Sequence, residues 1–238
     1  MLSPPTIVAT SVPEAVRDPL PSRLVRTAAG CLGTAAVLLV LLHLVRGLGG
    51  AGNPVTDMLS DYGLARGWWL WDLTLVLVSA GSAAISAALR RIGALSVPAL
   101  SFLVLWCLSL CAVAVFTKDP QGGAVTFTGK LHLYATGVGC AALPLAGLAL
   151  AARHRAHPRW SRFARWSRAL SLASVPFFLP FIVPFAAHIL FGMTHFPTIA
   201  TGLVERAMAV FELCQLTLLA WWARSPLPGQ FFVDAHSG

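Results

Sequence analysis

The sequence predicts an all-α integral membrane bundle of six transmembrane helices, with both termini cytoplasmic and a proline-kinked fifth helix. Three observations predict it. Of 238 residues, 57% are hydrophobic and only 11% charged, with a mean hydropathy of +0.74. A soluble domain carries about 25% charged residues, so a bilayer is the solvent that suits this chain. Six runs, at 25–46, 68–89, 95–116, 130–152, 169–192 and 202–223, approach the ~20 mostly apolar residues that a membrane-crossing helix needs. Finally, Lys and Arg fall unevenly between those runs. One side collects Arg17, Arg23, Arg26, Arg90, Arg91, Arg153, Arg155, Arg159, Arg162, Arg165, Arg168 and Arg224, and the other only Arg46, Arg66, Lys118, Lys130 and Arg206. The basic side is the cytoplasmic one, which puts the chain in the cell (cytoplasmic) membrane as a multi-pass protein.

The formal charge of +8 does not point to nucleic acid, because the basic residues gather between apolar runs and no nucleic-acid-binding module surrounds them. The expected partners are membrane lipids and a hydrophobic small molecule. The five cysteines, Cys31, Cys107, Cys111, Cys140 and Cys214, lie inside apolar runs and read as small buried hydrophobes, with no disulfide framework.

Residues 1–23 read as a polar, proline-rich tail, too unlike a signal peptide to be one. Residues 24–223 form the six-helix domain, and 224–238 a second tail. Helix 1 is plain apolar chain ending near His43 and Arg46. The loop after it reads Asn53-Pro-Val-Thr-Asp-Met-Leu-Ser-Asp-Tyr-Gly63. Asp57 and Asp61, four apart, share a face if this segment is a short interfacial helix. Trp68, Trp69 and Trp71 read first as an aromatic belt, with room for one to line a pocket. On helix 2, Asp72, Ser79 and Ser86 recur every seven residues among small side chains at 80–84. Small residues allow close helix packing, which accounts for the serines but leaves the carboxylate of Asp72 unexplained.

Between helices 3 and 4, Asp119-Pro120 and the glycines after them make a turn, and His132 falls in the first turn of helix 4. The loop 153–168, with six arginines and Trp160 and Trp166, is expected against anionic headgroups. Helix 5 carries Pro176, Pro180 and Pro184 and then His188 at four-residue steps. Each proline removes a helical hydrogen bond, so the carbonyls of Leu172, Pro176 and Pro180 lose their usual donors. On helix 6, Glu205, Met208, Glu212 and Gln215 share one face, and Arg206 is the adjacent cation expected to neutralise Glu205.

With this topology, Asp57, Asp61, Asp72, Asp119, Glu205, His43, His132, His188 and His195 all fall at or near the outer end. Ionisable residues within or beside spans are costly and face a bundle interior or a wet cavity. Their convergence at one end marks a site.

At these residues the chain resembles a widespread prokaryotic multi-pass membrane family catalogued as a domain of unknown function, number nine-nine-eight. The matching elements are Leu59-Ser-Asp-Tyr-Gly-Leu64 with Gly67-Trp-Trp, Phe116-Thr-Lys-Asp-Pro120, Gly129-Lys-Leu-His132 and Gly202-Leu-Val-Glu-Arg206. They occur in the family's order over about residues 30–223, with Gly63 where family members usually carry Ala. The resemblance implies a six-helix bundle and a shared polar set of Asp61, Asp119, His132, Glu205 and Arg206. It implies no established activity.

The leading functional reading is an intramembrane enzyme using carboxylate and histidine acid–base chemistry on an amphipathic or isoprenoid substrate, with its site at the extracytoplasmic end. A membrane-bound cyclase fits that reading, since Trp faces near an acid stabilise a developing cation. The candidate acid–base residues are Asp61, Asp119, His132, Glu205, Asp72 and His188. The candidates for substrate contact are Tyr62, Trp68, Trp69, Trp71, Arg206, Glu212 and Asp57. No cofactor is expected. Asp and His in threes can bind Zn²⁺, but no HxxxH spacing occurs, so no metal ligands are assigned. A small proton-coupled transporter and a non-catalytic membrane subunit or sensor are the alternatives. The missing internal repeat weighs against the transporter, and two acids plus two histidines exceed what a simple clasp requires.

Overall fold

The computed structural model describes residues 20–48, 53–120, 123–124, 126–180, 183, 190–191 and 200–224. Its long elements are α1 (Leu20–Leu48), α2 (Trp68–Arg91), α3 (Val97–Val115), α4 (Phe127–His154), α5 (Ser161–Ser174) and α6 (Thr201–Trp222). Short 3-10 helices lie at Leu59–Leu64 and Val175–Phe177, and there is no strand among the described residues. Helices α1 to α4 are each long and apolar enough to cross a bilayer. The protein is therefore an all-helical integral membrane protein with several apolar spans. Helix α6 has 22 residues, a crossing length, but carries Glu205, Arg206 and Glu212 within it.

Two helices, α3 and α4, start at a side-chain cap that the sequence supplies. In α3 the Ser96 side chain accepts from the amide of Ala99, and Pro98 occupies the first turn, where its missing N–H costs nothing. In α4 the Thr126 hydroxyl accepts from the amide of Gly129 at 3.0 Å. Helix α1 begins at Leu20, inside the segment read from sequence as a tail. Neighbouring helices pack in chain order, α1 on α2, α2 on α3, α3 on α4 and α4 on α5, and α6 closes against α5. The core runs along this bundle through Ile85, Leu89, Leu103, Leu143, Leu150, Leu216, Leu219 and Trp222. The serines of α2 serve packing: Ser79 donates to the Cys107 carbonyl of α3 at 3.1 Å, and Trp106 donates to Ser82 at 3.0 Å.

Two expectations change here. Residues 161–168, expected in a headgroup loop, are the first half of α5. Ala164, Ser167, Ser171 and Ser174 are buried while Arg162, Arg165 and Arg168 are exposed, so the segment is an amphipathic helix whose arginines face outward. Trp166 is exposed, but Trp160 is buried against His154, His157 and Trp222. Its indole fills the gap at the α4–α5 turn instead of meeting headgroups. At Pro176 the α-helix passes into 3-10 geometry, and the Leu172 carbonyl accepts from the amide of Val175. Tightening by one residue thus supplies the donor that proline withholds. Pro184, His188 and His195 lie outside the described residues.

Candidate functional site

The site is built from two loops seated on the same end of the bundle. The first, 53–64, opens with a turn in which the Asn53 carbonyl accepts from the amides of Thr56 and Asp57. It then docks on the first turn of α6. The guanidinium of Arg206 donates through Nη1 to the carbonyls of Pro54 (3.0 Å), Asp57 (2.7 Å) and Gly202 (2.9 Å). Its Nε donates to Nε2 of His43 on α1 at 3.1 Å. Thr201 donates to the Thr56 carbonyl at 3.0 Å, and the amide of Leu203 to that of Val55 at 3.2 Å. A Cβ at Gly202 would overlap the Asp57 carbonyl, so glycine is what lets the loop sit down on α6. The amide of Leu59 donates to Oε2 of Glu205, and Arg46 pairs with Asp57 at 3.3 Å.

The second loop, 116–126, locks the first from the other side. Lys118 donates to Oδ1 of Asp61 at 2.6 Å and to the Ser60 hydroxyl at 3.2 Å. The carboxylate of Asp119 accepts from the Thr126 amide (2.8 Å) and hydroxyl (2.7 Å) at the start of α4. These two bonds hold its carboxyl below the usual carboxylate range, because both favour the charged form. A Cβ at Gly129 would run into that carboxylate, so the turn of α4 beneath it must be glycine. Nδ1 of His132 bonds the Phe116 carbonyl at 2.7 Å and ties α4 to the end of α3.

Beneath the first loop lies a cavity of about 130 Å³. Leu59 and Ser60 of the loop roof it. Trp71, Thr74 and Val78 of α2, Trp106 and Ser109 of α3, Thr136 and Cys140 of α4, and Glu205, Met208 and Glu212 of α6 contribute to its walls. Glu205 and Glu212 are seven residues apart on one helix face, about 10 Å along the axis. Oε1 of Glu212 is buried and has no hydrogen-bond partner among the described residues. One turn deeper, Gln215 donates to the Ser167 hydroxyl of α5 at 2.7 Å, and Ser167 donates to the Gly147 carbonyl of α4 at 3.0 Å. Among the described residues, no three His, Cys, Asp or Glu side chains group as they would around a metal ion.

A family match covers both loops and extends far beyond them. The family described as "Protein of unknown function (DUF998)" matches residues 23–222. The chain belongs to that family. No curated protein and no solved structure matches it.

In this DUF998 protein, the residues singled out from sequence divide into three groups. Glu205, Glu212 and Trp71 line the cavity. Asp57, Asp61, Tyr62 and Asp119 belong to the two loops, and His132 of α4 and Arg206 of α6 tie down the backbone at them; none of the six lines the cavity. Tyr62 is buried between His43 and Trp71. Trp68 and Trp69 are each 56% exposed, and Asp72 is partly exposed beside the lining residues Trp71 and Thr74. The expected Glu205–Arg206 pair does not form. Consecutive helix residues point about 100° apart, so Arg206 turns to the loop carbonyls while Glu205 turns inward. Sequence reading missed Lys118, Thr136 and Cys140. A signal was available for two of them, since His132, Thr136 and Cys140 follow at four-residue steps on one face of α4.

Proposed function

We propose that this DUF998 protein is a six-span enzyme of the cytoplasmic membrane with both termini cytoplasmic. On this reading it carries out acid–base chemistry on an amphipathic or lipid-like substrate whose reactive end enters the cavity under the 53–64 loop. The observation that carries the proposal is the placement of two carboxyls, Glu205 and Glu212, in one mostly apolar cavity roofed by a loop. Glu205 is oriented by the Leu59 amide and serves as the fixed member, placed to stabilise charge or accept a proton. Glu212, which lines the same cavity and has a buried Oε1 with no partner among the described residues, is assigned the proton exchange with substrate. Positioned acid–base groups contribute about 10²–10⁴ in rate. Asp61, Asp119 and His132 then become positioning residues, since their bonds hold the roof and the start of α4.

The experiment compares the lipid extracts of cells carrying the wild-type chain, Glu212→Gln and no copy, by untargeted mass spectrometry. The proposal expects at least one amphipathic species to change with the wild type and to return to the no-copy level with Glu212→Gln at equal protein abundance. Identical extracts from wild type and Glu212→Gln would contradict it.

A further inference from the structure

We propose that the cavity is built for a cationic head: its ligand is a lipophilic amine whose ammonium group pairs with Glu212. This rests on the reading of the cavity as a substrate site and names the class of molecule that fills it. Two carboxyls face the space, and among the described residues that line it there is no Lys, Arg or His. Lys118 of the second loop donates to Asp61 and Ser60, and Arg206 donates to carbonyls and His43; neither lines the cavity. Glu205 has the Leu59 amide, but Oε1 of Glu212 has no donor. A buried carboxylate without a partner is costly, and an ammonium supplies both a charge and an N–H donor. The walls agree with that choice. Trp71 and Trp106 line the same space, and Trp106 has its N–H engaged with Ser82. Aromatic faces attract a desolvated cation within about 6 Å.

The volume limits the head. A dry cavity of roughly 150 Å³ holds one benzene, so about 130 Å³ takes a head of similar size, with any longer chain leaving toward the bilayer. Benzylamine and benzyl alcohol each add two heavy atoms to a benzene ring, match each other in size and differ in charge, which makes them direct probes.

The test measures binding of both probes to the full chain in lipid nanodiscs by thermal shift and by ligand-observed NMR. Benzylamine is expected to bind at least about tenfold more tightly than benzyl alcohol, the ratio that one charge-assisted hydrogen bond supplies. In Glu212→Gln that preference should disappear while the alcohol still binds. Equal binding of the two probes by the wild-type protein would overturn the cation assignment and leave the substrate-site reading standing. If neither probe binds, the substrate-site reading falls as well. The wild-type comparison needs no variant, so it decides even if Glu212→Gln fails to fold.

Discussion

Arg206 commits its donors to three carbonyls and one imidazole, an arrangement that depends on the planar fork of a guanidinium. Arg206→Met should therefore lower stability by about 2–4 kcal/mol, since it leaves carbonyls under the loop without donors. Arg206→Lys should recover little of that loss, because an ammonium is a point charge. Denaturation of the purified protein in detergent measures both. Asp119 gives a pH signature. Its carboxyl is held below the usual range by Thr126, so its stabilising effect is full above the unfolded carboxylate value of about 3.9 and is lost as pH falls through the lower folded value. The stability difference between wild type and Asp119→Asn should be present at neutral pH and vanish in strong acid. A difference that grows as pH falls would contradict the cap. At this scale the sequence revealed which residues were polar and out of place, but not their partners. The pairing of Glu205 with Arg206 looked natural in one dimension and fails because neighbours on a helix diverge.

The loop 53–64 depends on how closely it can approach α6. Gly202→Ala places a Cβ in the Asp57 carbonyl, so the loop must lift, and a loss of about 1–3 kcal/mol follows from overpacking. Ala200, just before α6, has φ of 54°, a left-handed conformation that costs a non-glycine residue about 1 kcal/mol. Ala200→Gly should raise stability by about that amount, and a lower melting temperature would contradict the assignment. Helices α2, α3, α4 and α6 were legible in the sequence to within three residues, because long apolar runs end at caps and turns. The start of α5 was not. Arg162, Arg165 and Arg168 face outward along it while Ala164, Ser167 and Ser171 face inward, and a reader who counts charges sees a loop where the buried face is made of small and hydroxyl side chains. At Pro176 the sequence marked a point where helical hydrogen bonding changes. Its remedy, a 3-10 turn feeding the Leu172 carbonyl, depends on a local backbone choice that residue spacing does not encode.

For the whole molecule, the proposed topology rests on the uneven Lys and Arg distribution, and it places the loop-roofed cavity outside and the arginine-rich turn inside. Single cysteines introduced at Asn53 and at Arg155 in a cysteine-free background should report this. A membrane-impermeant maleimide applied to intact cells should label position 53 and spare position 155, and the reverse pattern would invert the topology. The membrane class could be read from composition. The cavity could not, because it arises where Glu205, Thr136 and Trp71 arrive from three helices brought together only by folding. The central claim is that this cavity, with Glu205 and Glu212 in its wall, is the working site. The most direct measurement is an experimental structure of the full chain in nanodiscs made with its native lipid extract. The account predicts non-protein density under the 53–64 loop, within hydrogen-bonding distance of Glu212. A cavity closed by side chains, with Glu212 turned toward the lipid, would contradict it.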